Sequence, residues 1–297
     1  MTEPSISVVV PARNAEQSLG RLLAALDRQT IGAGAFETVV ADDASRDGTA
    51  AVARAARARV VSLPARRGSY AARNLALAVT RAPVVAFVDA DCVPANDWLE
   101  QGLADLERLE ADILGGRVQA EPVSHPRISE LIDLARSLDQ KRCVDEAGYA
   151  ATANVFVRRL VIDAIGGFNE RLISGGDVEF SLRAAAAGYR VAYSHSASVM
   201  HPLRRRPAQL VRKGFRTGFG NGQWEHVAEG PLRAHRAPWR SGSSFRPERG
   251  VLRGSRAGET TRWRAVQADI AHYALVQLPR LAGSLAASAR RGRGFGS

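Results

Sequence analysis

The apolar residues in the first third of the chain fall into two alternating patterns. Continuous, largely β-branched runs are typical of strands buried on both faces, and they occupy Ile6–Val10, Phe36–Ala41 and Pro83–Val88. Between the first two runs, leucines from Leu19 to Leu26 recur at helical spacing and predict one buried helix face. Strands that alternate with helices predict an α/β fold, with a mostly parallel central sheet and helices on both of its faces.

Polar residues follow each of these runs directly. In sheets of this kind, ligands bind beyond the carboxyl ends of the strands, so these positions are the first candidates for chemistry. The three polar stretches are Pro11-Ala12-Arg13-Asn14, Asp42-Asp43 and Asp89-Ala90-Asp91. Adjacent carboxylates repel each other and are costly to desolvate unless a cation, a base or a ribose satisfies them.

Asp89 and Asp91 are separated by one residue, so in extended backbone their carboxylates point to the same side. Two such carboxylates suit Mg²⁺ or Mn²⁺, which prefers one or two carboxylates together with substrate phosphates. A pair of turn aspartates before Pro94 is the alternative. The position after a buried strand, close to a second aspartate pair, favours the metal.

The second aspartate pair, Asp42 and Asp43, precedes a stretch that is typical of a helix start. Ser45 and Asp47 are common turn and N-cap residues, and capping accounts well for Asp47 and Thr49. Capping accounts poorly for both members of the pair, because only one side chain can cap. A carboxylate that accepts from a nucleobase N–H or a ribose hydroxyl is the better use for one of them.

A third feature is an arginine close to a predicted helix start. Gly68 and Ser69 open that helix, and helix N-termini attract anions. Arg73 lies one turn further on, where its guanidinium fork could reach a diphosphate. An exposed position on an arginine-rich surface is the alternative, and it fits Arg66 and Arg67 better.

Composition narrows the class of protein. The chain has 297 residues, 45% of them apolar and 24% charged, as is ordinary for a globular protein. Its two cysteines exclude a small scaffold held by disulfides. The first apolar run has no basic segment ahead of it, so we expect a strand there, not a signal peptide, and a cytoplasmic protein.

The net charge of +11 is distributed unevenly. Residues 1–200 carry 22 Lys and Arg against 25 Asp and Glu, whereas residues 201–297 carry 19 against 5. A basic final third predicts a polyanionic partner, such as phosphates or an anionic membrane surface. Because we find no nucleic-acid-binding module, we expect no nucleic acid partner.

The C-terminal part differs in character from the rest. We expect a catalytic or binding domain over residues 1–225 and an arginine-rich linker and C-terminal helix over residues 226–297. The apolar stretch Ala265–Ala289 is interrupted by charges and a proline, so it does not predict a membrane-spanning helix. Two alternatives stay open for it: a helix on a membrane surface, with Ile270, Tyr273, Ala274 and Gln277 at helical spacing, or a helix packed on the main domain.

Several segments, in this order and at these distances, resemble the inverting family 2 glycosyltransferases of GT-A fold. The first four are SVVVPARNAEQSLGRLLAAL, VVADDASRDGT, GSYAARNLAL and VVAFVDADC. Three later ones are GYAATANVFVRR, GGFNE and GGDVEFSLR. The resemblance covers about residues 4–202 and implies a Rossmann-like GT-A domain with a nucleotide-sugar donor.

The resemblance also implies roles for individual residues. The donor nucleotide would be held by Pro11, Ala12, Arg13, Asn14, Asp42, Asp43, Arg73, Asp89 and Ala90. The metal would be bound by Asp91, with Asp89 contacting ribose or metal and His201 as a further ligand. Asp177 would be the general base, with Glu179 as the alternative base, and the acceptor side would include Asn154, Gly176 and Glu179.

Three positions qualify these assignments. Arg13 stands where the family often has an aromatic residue, and Gly176 stands where it usually has a glutamate before the base. A surface histidine before a basic loop is the alternative for His201, and we expect His195 to be structural.

The expected activity follows from these roles. It is metal-dependent transfer of a sugar, with inversion, from a nucleoside-diphosphate sugar to a hydroxyl of an envelope polysaccharide, glycolipid or glycoside, with Mg²⁺ or Mn²⁺ as cofactor. A non-catalytic GT-A module that binds sugar nucleotide or an anionic membrane as a partner subunit is the alternative. We expect a cytoplasmic protein with peripheral contact to the inner face of the cell membrane.

Overall fold

The structure is a computed structural model that describes residues 3–32, 34–135, 137–227 and 278–289. The chain divides into two compact units. Unit 1 comprises residues 1–121 and 138–202, and unit 2 comprises residues 122–137 and 203–297. Of the predicted arginine-rich linker and C-terminal helix over residues 226–297, only residues 226–227 and 278–289 are described, so Ile270 to Gln277 lie outside the described residues. The predicted boundary after residue 225 stays a prediction.

Unit 1 is built on an eight-stranded sheet. The strands are β1 Ile6–Ala12, β2 Phe36–Asp42, β3 Arg59–Ser62, β4 Val84–Val88, β5 Val93–Pro94, β6 Ile113–Ala120, β7 Asn154–Arg158 and β8 Val191–His201. Their order across the sheet is β3-β2-β1-β4-β7-β6-β8-β5. The three predicted strand runs are therefore confirmed as β1, β2 and β4. These strands are neighbours in the sheet, in the order β2-β1-β4.

Parallel pairing joins β1 to β2 and β4, β2 to β3, and β6 to β8. Strand β7 runs antiparallel to both β4 and β6, and β5 runs antiparallel to β8. The chain leaves β1 toward β2 on one side and later returns to β4 on the other side. The order therefore reverses at β1 and β4, and ligands bind at such switch points in α/β sheets.

Helices connect the strands of unit 1 and cover its sheet. They are α1 Glu16–Leu26, α2 Thr49–Ala55, α3 Ser69–Leu77, α4 Trp98–Arg108, α6 Gln140–Ala147, α7 Arg159–Ile165 and α8 Gly176–Ala186. The predicted leucine face of α1 is buried, from Leu19 to Leu26. The mixed α/β architecture is as the sequence predicts, with β7 and β5 as the antiparallel additions.

The core of unit 1 is packed from β1, β4 and the helices on one face. Trp98 of α4 and Phe156 of β7 are fully buried against each other, with ring centroids 5.1 Å apart. Gly102, one turn after Trp98, has no room for a side chain, because a Cβ there would overlap the Phe156 ring.

Unit 2 contains three described helices: α5 Ile128–Leu134, α9 Pro207–Val227 and α10 Leu278–Ala289. Asp133 of α5 is buried, and its carboxylate accepts from Arg204 Nη1 at 3.0 Å and from Lys213 Nζ at 3.1 Å. Helices α9 and α10 cross at glycines, since a Cβ on Gly218 would overlap the Arg280 carbonyl. Over the described residues, every helix is too short or too polar to cross a bilayer.

Candidate active site

The loops that follow β1 and β2 are tied to each other. Asn14 and Ala44 both have positive φ angles, 49° and 53°, which turn the chain sharply after each strand. The Asn14 N–H donates to Ser45 Oγ at 2.9 Å, and the Arg46 N–H donates to Asn14 Oδ1 at 2.9 Å. The stretch from Pro11 through the exposed Arg13 and Asn14 thus forms one rim at the sheet edge.

The two aspartates after β2 are both buried and have different partners. Asp43 accepts from the Arg67 N–H at 2.6 Å and from the Gly68 N–H at 3.0 Å, one at each oxygen. Asp43 therefore holds the loop that begins α3. Asp42 Oδ1 accepts from the Ser45 N–H at 3.1 Å. Of the pair, Asp42 has the less committed carboxylate.

Arg73 on α3 is buried, with 3% of its surface exposed, and its guanidinium pairs with the carboxylate that follows β4. Its Nη2 lies 2.7 Å from Asp89 Oδ1. Among the described residues, the buried Nε–H of Arg73 has no acceptor. A buried cation with a donor to spare is suited to an anionic ligand.

Aromatic rings surround this guanidinium. Its carbon lies 5.8 Å from the Tyr70 ring centroid and 5.9 Å from that of Phe168, and the two rings stack on each other at 5.8 Å. Phe168 also contacts Phe87 and Phe180. Phe168 of the GGFNE segment therefore packs against the Arg73 guanidinium.

Asn74 of α3 holds the backbone of Phe168 in place. The Asn74 amide accepts from the Phe168 N–H and donates to the Phe168 carbonyl, both at 2.8 Å, and donates to Glu170 at 2.9 Å. A Cβ on Gly167 would overlap Asn74, which explains the glycine there.

Asp177 lies in the first turn of α8, where the helix dipole favours negative charge. Its Oδ1 accepts from the Val178 N–H at 3.0 Å and lies 3.4 Å from the Tyr70 hydroxyl. Burial raises the pKa of the Asp177 carboxyl above that of an ordinary aspartate, while the nearby Arg73 guanidinium opposes the shift. The structure thus links Asp89, Arg73, Tyr70 and Asp177 in one cluster.

Asp91 and His201 provide the clearest candidate metal ligands. Asp91 Oδ1 and His201 Nε2 lie 3.8 Å apart. The other ring nitrogen, Nδ1, lies 2.8 Å from the Pro202 carbonyl, which can only accept, so Nδ1 carries the proton. In the neutral form of His201, this tautomer directs the Nε2 lone pair toward the Asp91 carboxylate, and such a juxtaposition suits a cation between them.

Cys92 also places its sulfur near these ligands, within 4.8 Å of the Asp91 and His201 atoms. Its thiol is fully buried and donates to the Ala153 carbonyl at 3.7 Å. Burial raises the pKa of this thiol well above its ordinary value. A buried, protonated thiol is a poor ligand for Mg²⁺ or Mn²⁺, so Cys92 belongs to the core.

Asn154, which the resemblance places on the acceptor side, has its side chain hydrogen-bonded within the protein. This side chain is fully buried, accepts from Trp98 Nε1 at 2.8 Å and donates to the carbonyls of Arg117 and Ala197 at 2.9 Å. Both amide protons are therefore used within the protein, and the side chain is fully buried. The local pattern did not reveal this, because Trp98 lies 56 residues away.

Glu179 is likewise held by the protein. Its carboxylate accepts from Arg183 at both oxygens, at 2.8 and 3.0 Å, and is buried. Arg183 also donates to the Gly167 carbonyl. This pairing joins α8 to the GGFNE segment and occupies both carboxylate oxygens of Glu179, the alternative base. His195 is exposed and lies 3.1 Å from Arg117.

The remaining predicted residues lie close to the cluster. Ala90, between Asp89 and Asp91, is buried, and Gly176 is in contact with Tyr70. Sequence reasoning missed Tyr70, Asn74 and Phe168 as parts of this site. The signal available was the unusual Gly176, whose meaning depends on Tyr70, 106 positions earlier.

The sequence matches the family model described as "Glycosyl transferase family 2" over residues 7–166. It is 34% identical over 225 residues to glycosyltransferase AglE of Haloferax volcanii, covering 74% of this chain and 73% of AglE. It is 29% identical over 223 residues to the pre-mycofactocin glycosyltransferase of Mycobacterium tuberculosis, covering 72% of this chain but only 46% of that protein.

Solved structures show the same fold. The mannosyltransferase PcManGT from Pyrobaculum calidifontis, in complex with GDP-Man and Mn²⁺, has a TM-score of 0.59 and 20% identity, covering 99% of this chain and 80% of that one. TarS 1–349 of S. aureus, in complex with UDP-GlcNAc, has a TM-score of 0.56 and 19% identity, covering 98% and 93%.

The matching family model extends over more than half of the chain, and the sheet, its switch point and the structural neighbours all agree with it. The chain has the GT-A fold and belongs to glycosyl transferase family 2.

Proposed function

We propose that this protein is an inverting, metal-dependent glycosyltransferase. It moves a sugar from a nucleoside-diphosphate sugar to a hydroxyl of an envelope polysaccharide, glycolipid or glycoside. One observation carries the proposal: the Asp177 carboxylate lies in the same cluster as the buried Arg73 and its partly exposed partner Asp89. A base and a cation for a leaving diphosphate are thus brought together.

The donor nucleotide occupies the switch point between β1 and β4. The rim from Pro11 to Asn14 borders it, and Asp42 is the carboxylate best able to accept from a base or ribose, because Asp43 is occupied by the α3 loop. Arg73 faces the diphosphate with its Nε–H, which has no acceptor in the part of the chain that the structure describes. This cation stabilises the charge that develops on the leaving group.

Mg²⁺ or Mn²⁺ would be held by Asp91 and His201, with Asp89 alongside. When bound, the ion supplies positive charge to the donor diphosphate. The fit rests on the donor set, since a carboxylate oxygen of Asp91 and the imidazole Nε2 of His201 lie 3.8 Å apart. PcManGT, which shares the fold, is in complex with both GDP-Man and Mn²⁺ in its solved structure, and this supports the same kind of pair here.

Asp177 takes the proton from the acceptor hydroxyl. An alcohol has a pKa far above 7, so it needs a base as it attacks the anomeric carbon. One displacement from the side opposite the leaving group inverts the anomeric centre and requires no covalent intermediate. The raised pKa of Asp177 makes its carboxylate a stronger base than that of an exposed aspartate.

The donor is tested by a thermal-shift panel of UDP, GDP and dTDP sugars, with and without Mn²⁺. A ligand that binds only the folded protein raises its melting temperature by mass action. We expect one nucleotide class to raise it, and only with the metal present. If no nucleotide sugar shifts the melting temperature under either condition, the donor assignment is wrong.

The base is tested with Asp177→Asn, which removes the proton acceptor but keeps the shape. We expect loss of transfer of about 100-fold or more, with the donor-induced thermal shift preserved. Asp163→Asn, at an exposed position on α7, is the matched control and should keep full activity. Undiminished turnover by Asp177→Asn would assign the base to another group.

The non-catalytic alternative makes a different prediction. Such a module would bind a sugar nucleotide but would release no nucleoside diphosphate from it. Asp89, Asp91 and Asp177 are all present in this chain, which favours the enzyme.

We also propose peripheral contact of unit 2 with an anionic membrane. Six large apolar side chains of this unit are more than a third exposed: Val123, Ile128, Val211, Phe215, Leu278 and Leu281. On α9, exposed arginines adjoin two of them, with Arg212 beside Val211 and Arg216 beside Phe215. Exposed apolar groups next to arginines suit the boundary between lipid headgroups and acyl chains.

Flotation with vesicles tests this contact. We expect the protein to bind vesicles of phosphatidylcholine with phosphatidylglycerol at low salt, and not vesicles of phosphatidylcholine alone. Phe215→Ser combined with Arg216→Ser should reduce binding, whereas Leu160→Ser, which removes an exposed leucine of unit 1, should leave it unchanged. Equal binding by all three proteins would contradict the proposed surface.

A further inference from the structure

We propose that Tyr70 is a positioning residue for the Asp177 carboxylate, and that residue 176 is glycine because the Tyr70 ring occupies the space of its side chain. This inference rests on the proposed function, in which Asp177 is the base. It assigns a role to a residue to which the sequence resemblance gives none.

The Tyr70 hydroxyl bridges two groups at the start of α8. It accepts from the Gly176 N–H at 2.8 Å and donates toward Asp177 Oδ1 at 3.4 Å. Because a hydroxyl has one proton, the bond from Gly176 leaves that proton for the carboxylate. One oxygen atom on α3 therefore fixes both the first turn of α8 and the side chain that it carries.

The ring itself is held firmly. Tyr70 is 7% exposed, stacks on Phe168 and lies beside the Arg73 guanidinium. Phe168 is fixed in turn by the hydrogen bonds of Asn74. A phenol with two restrained torsions places its hydroxyl at a defined point at a small entropic cost.

The glycine at 176 is explained by the space that the Tyr70 ring occupies and not by an unusual backbone conformation. A Cβ there would lie 2.7 Å from the Tyr70 ring, closer than real Cβ contacts allow. The φ angle of Gly176 is not positive, unlike that of Gly175 at 85°, so a side chain at 176 meets no backbone penalty. The glutamate expected at 176 and the tyrosine at 70 therefore exclude each other.

Tyr70 thus takes the place next to the base that a side chain at 176 would occupy. The other titratable and charged groups that act on Asp177 are Arg73, Asp89, Cys143 and Tyr149. Of the phenols near Asp177, Tyr149 accepts from the Cys143 thiol at 3.2 Å. Tyr70 is the phenol whose proton is directed at the base.

The first test is Tyr70→Phe, which keeps the ring and removes the hydroxyl. With UDP-GlcNAc or GDP-Man as the probe, whichever the thermal-shift panel selects, nucleoside diphosphate release should show kcat reduced about tenfold, with the donor KM within about twofold. The acidic limb of the kcat profile should move to higher pH, because the ionised carboxylate loses a donor. Tyr193→Phe, on β8, is the control.

The second test uses the mutual exclusion of the two side chains. Gly176→Glu alone should lower the melting temperature and the activity, because its side chain meets the Tyr70 ring. Tyr70→Ala combined with Gly176→Glu should recover part of both losses relative to Gly176→Glu alone. If the double variant recovers melting temperature and activity relative to Gly176→Glu alone, the effects of the two substitutions are not additive. Non-additive effects show that the two positions are coupled.

The outcomes separate this inference from the proposed function. If Asp177→Asn is inactive but Tyr70→Phe matches the wild type in kcat and pH profile, the role of Tyr70 is overturned and the base stands. If Asp177→Asn is fully active, the base assignment fails first. If Gly176→Glu retains wild-type stability in the presence of Tyr70, the steric explanation for the glycine is wrong.

Discussion

At the scale of single residues, the buried Arg73 guanidinium acts on two carboxylates. It pairs with the partly exposed Asp89 at 2.7 Å. Burial disfavours the charge on Asp177, and the nearby Arg73 charge partly offsets that cost. One cation is therefore within electrostatic reach of both the candidate donor-binding carboxylate and the candidate base.

Replacing Arg73 tests its assignment to the donor diphosphate. Arg73→Lys keeps the charge but loses the planar fork, so we expect donor affinity to fall by about tenfold, or about 1.4 kcal/mol. Isothermal titration with the selected nucleotide sugar and Mn²⁺ measures this. Arg54→Lys, on α2, is the control and should bind as the wild type does; a Kd for Arg73→Lys equal to the wild-type value would remove Arg73 from the donor site.

The raised pKa of Asp177 predicts how stability depends on pH. Between the ordinary aspartate pKa and the raised one, the folded state binds more protons than the unfolded state, so stability falls as pH rises through this window. Asp177→Asn cannot lose that proton. We therefore expect the variant to melt at a higher temperature than the wild type at pH 7, with the difference vanishing near pH 3.

Melting curves of both proteins over this pH range measure the effect. A variant that is less stable than the wild type at pH 7 would mean that the Arg73 charge outweighs desolvation at this carboxyl. Near pH 3 both side chains are uncharged. Any difference in melting temperature that remains there is therefore an effect of the substitution that does not depend on the charge of Asp177.

At the scale of elements, α3 organises the site. Three of its residues, Tyr70, Arg73 and Asn74, contact respectively the start of α8, the residue after β4 and the GGFNE segment. The spacing of three and four residues places Arg73 and Asn74 on the same face of the helix as Tyr70. A short helix thus connects the candidate base, the candidate diphosphate cation and the loop that supports both.

Asn74→Ala should loosen this connection. It removes the amide that pairs with both backbone groups of Phe168, and leaving them unpaired costs about 1–3 kcal/mol. We expect a lower melting temperature and faster hydrogen exchange in residues 166–170. Asn169→Ala, in the same segment, serves as the comparison; unaltered exchange in Asn74→Ala would contradict the role of this amide.

The crossing of α9 and α10 offers a second prediction at this scale. A side chain on Gly218 would overlap a backbone carbonyl, which cannot rotate away, so Gly218→Ala must separate the helices. Overpacking of this kind typically costs about 1–3 kcal/mol. Gly34→Ala, where a Cβ meets open space, is the control, and chemical denaturation of the two variants measures the difference.

At the scale of the whole molecule, each of the two compact units is built from two separate segments of the chain. Unit 2 takes residues 122–137 from the middle of the chain as well as its end. The proposed domain of residues 1–225 therefore contains α5 and most of α9, while α10 lies beyond it. Since α10 packs against α9, a chain that ends at residue 225 exposes the glycine face of α9.

Truncation after residue 225 tests the proposed boundary. If residues 1–225 form a complete donor-binding domain, the truncated chain should keep the thermal shift with nucleotide sugar and Mn²⁺. We expect it to bind the dye ANS more strongly than the full chain, because the face of α9 that packs on α10 is opened. Loss of the ligand-induced shift would place the functional boundary beyond residue 225.

The sequence by itself determined the strands and helices of the sheet half that carries the site. Continuous β-branched runs and leucines at helical spacing are local signals, and each acts through the burial of its own segment. The order of elements then fixed which strand ends carry Asp42, Asp43, Asp89 and Asp91. That much of the candidate site was predictable before any contact was known.

The tertiary structure alone decided which polar side chains remain available. Asp43, Asn154 and Glu179 have their hydrogen-bonding groups occupied by the protein, and Tyr70 reaches the candidate base from a position 107 residues earlier in the chain. A side chain's partners depend on its direction and on which distant backbone packs beside it. Local patterns carry no information about either, because both are set only when the elements assemble.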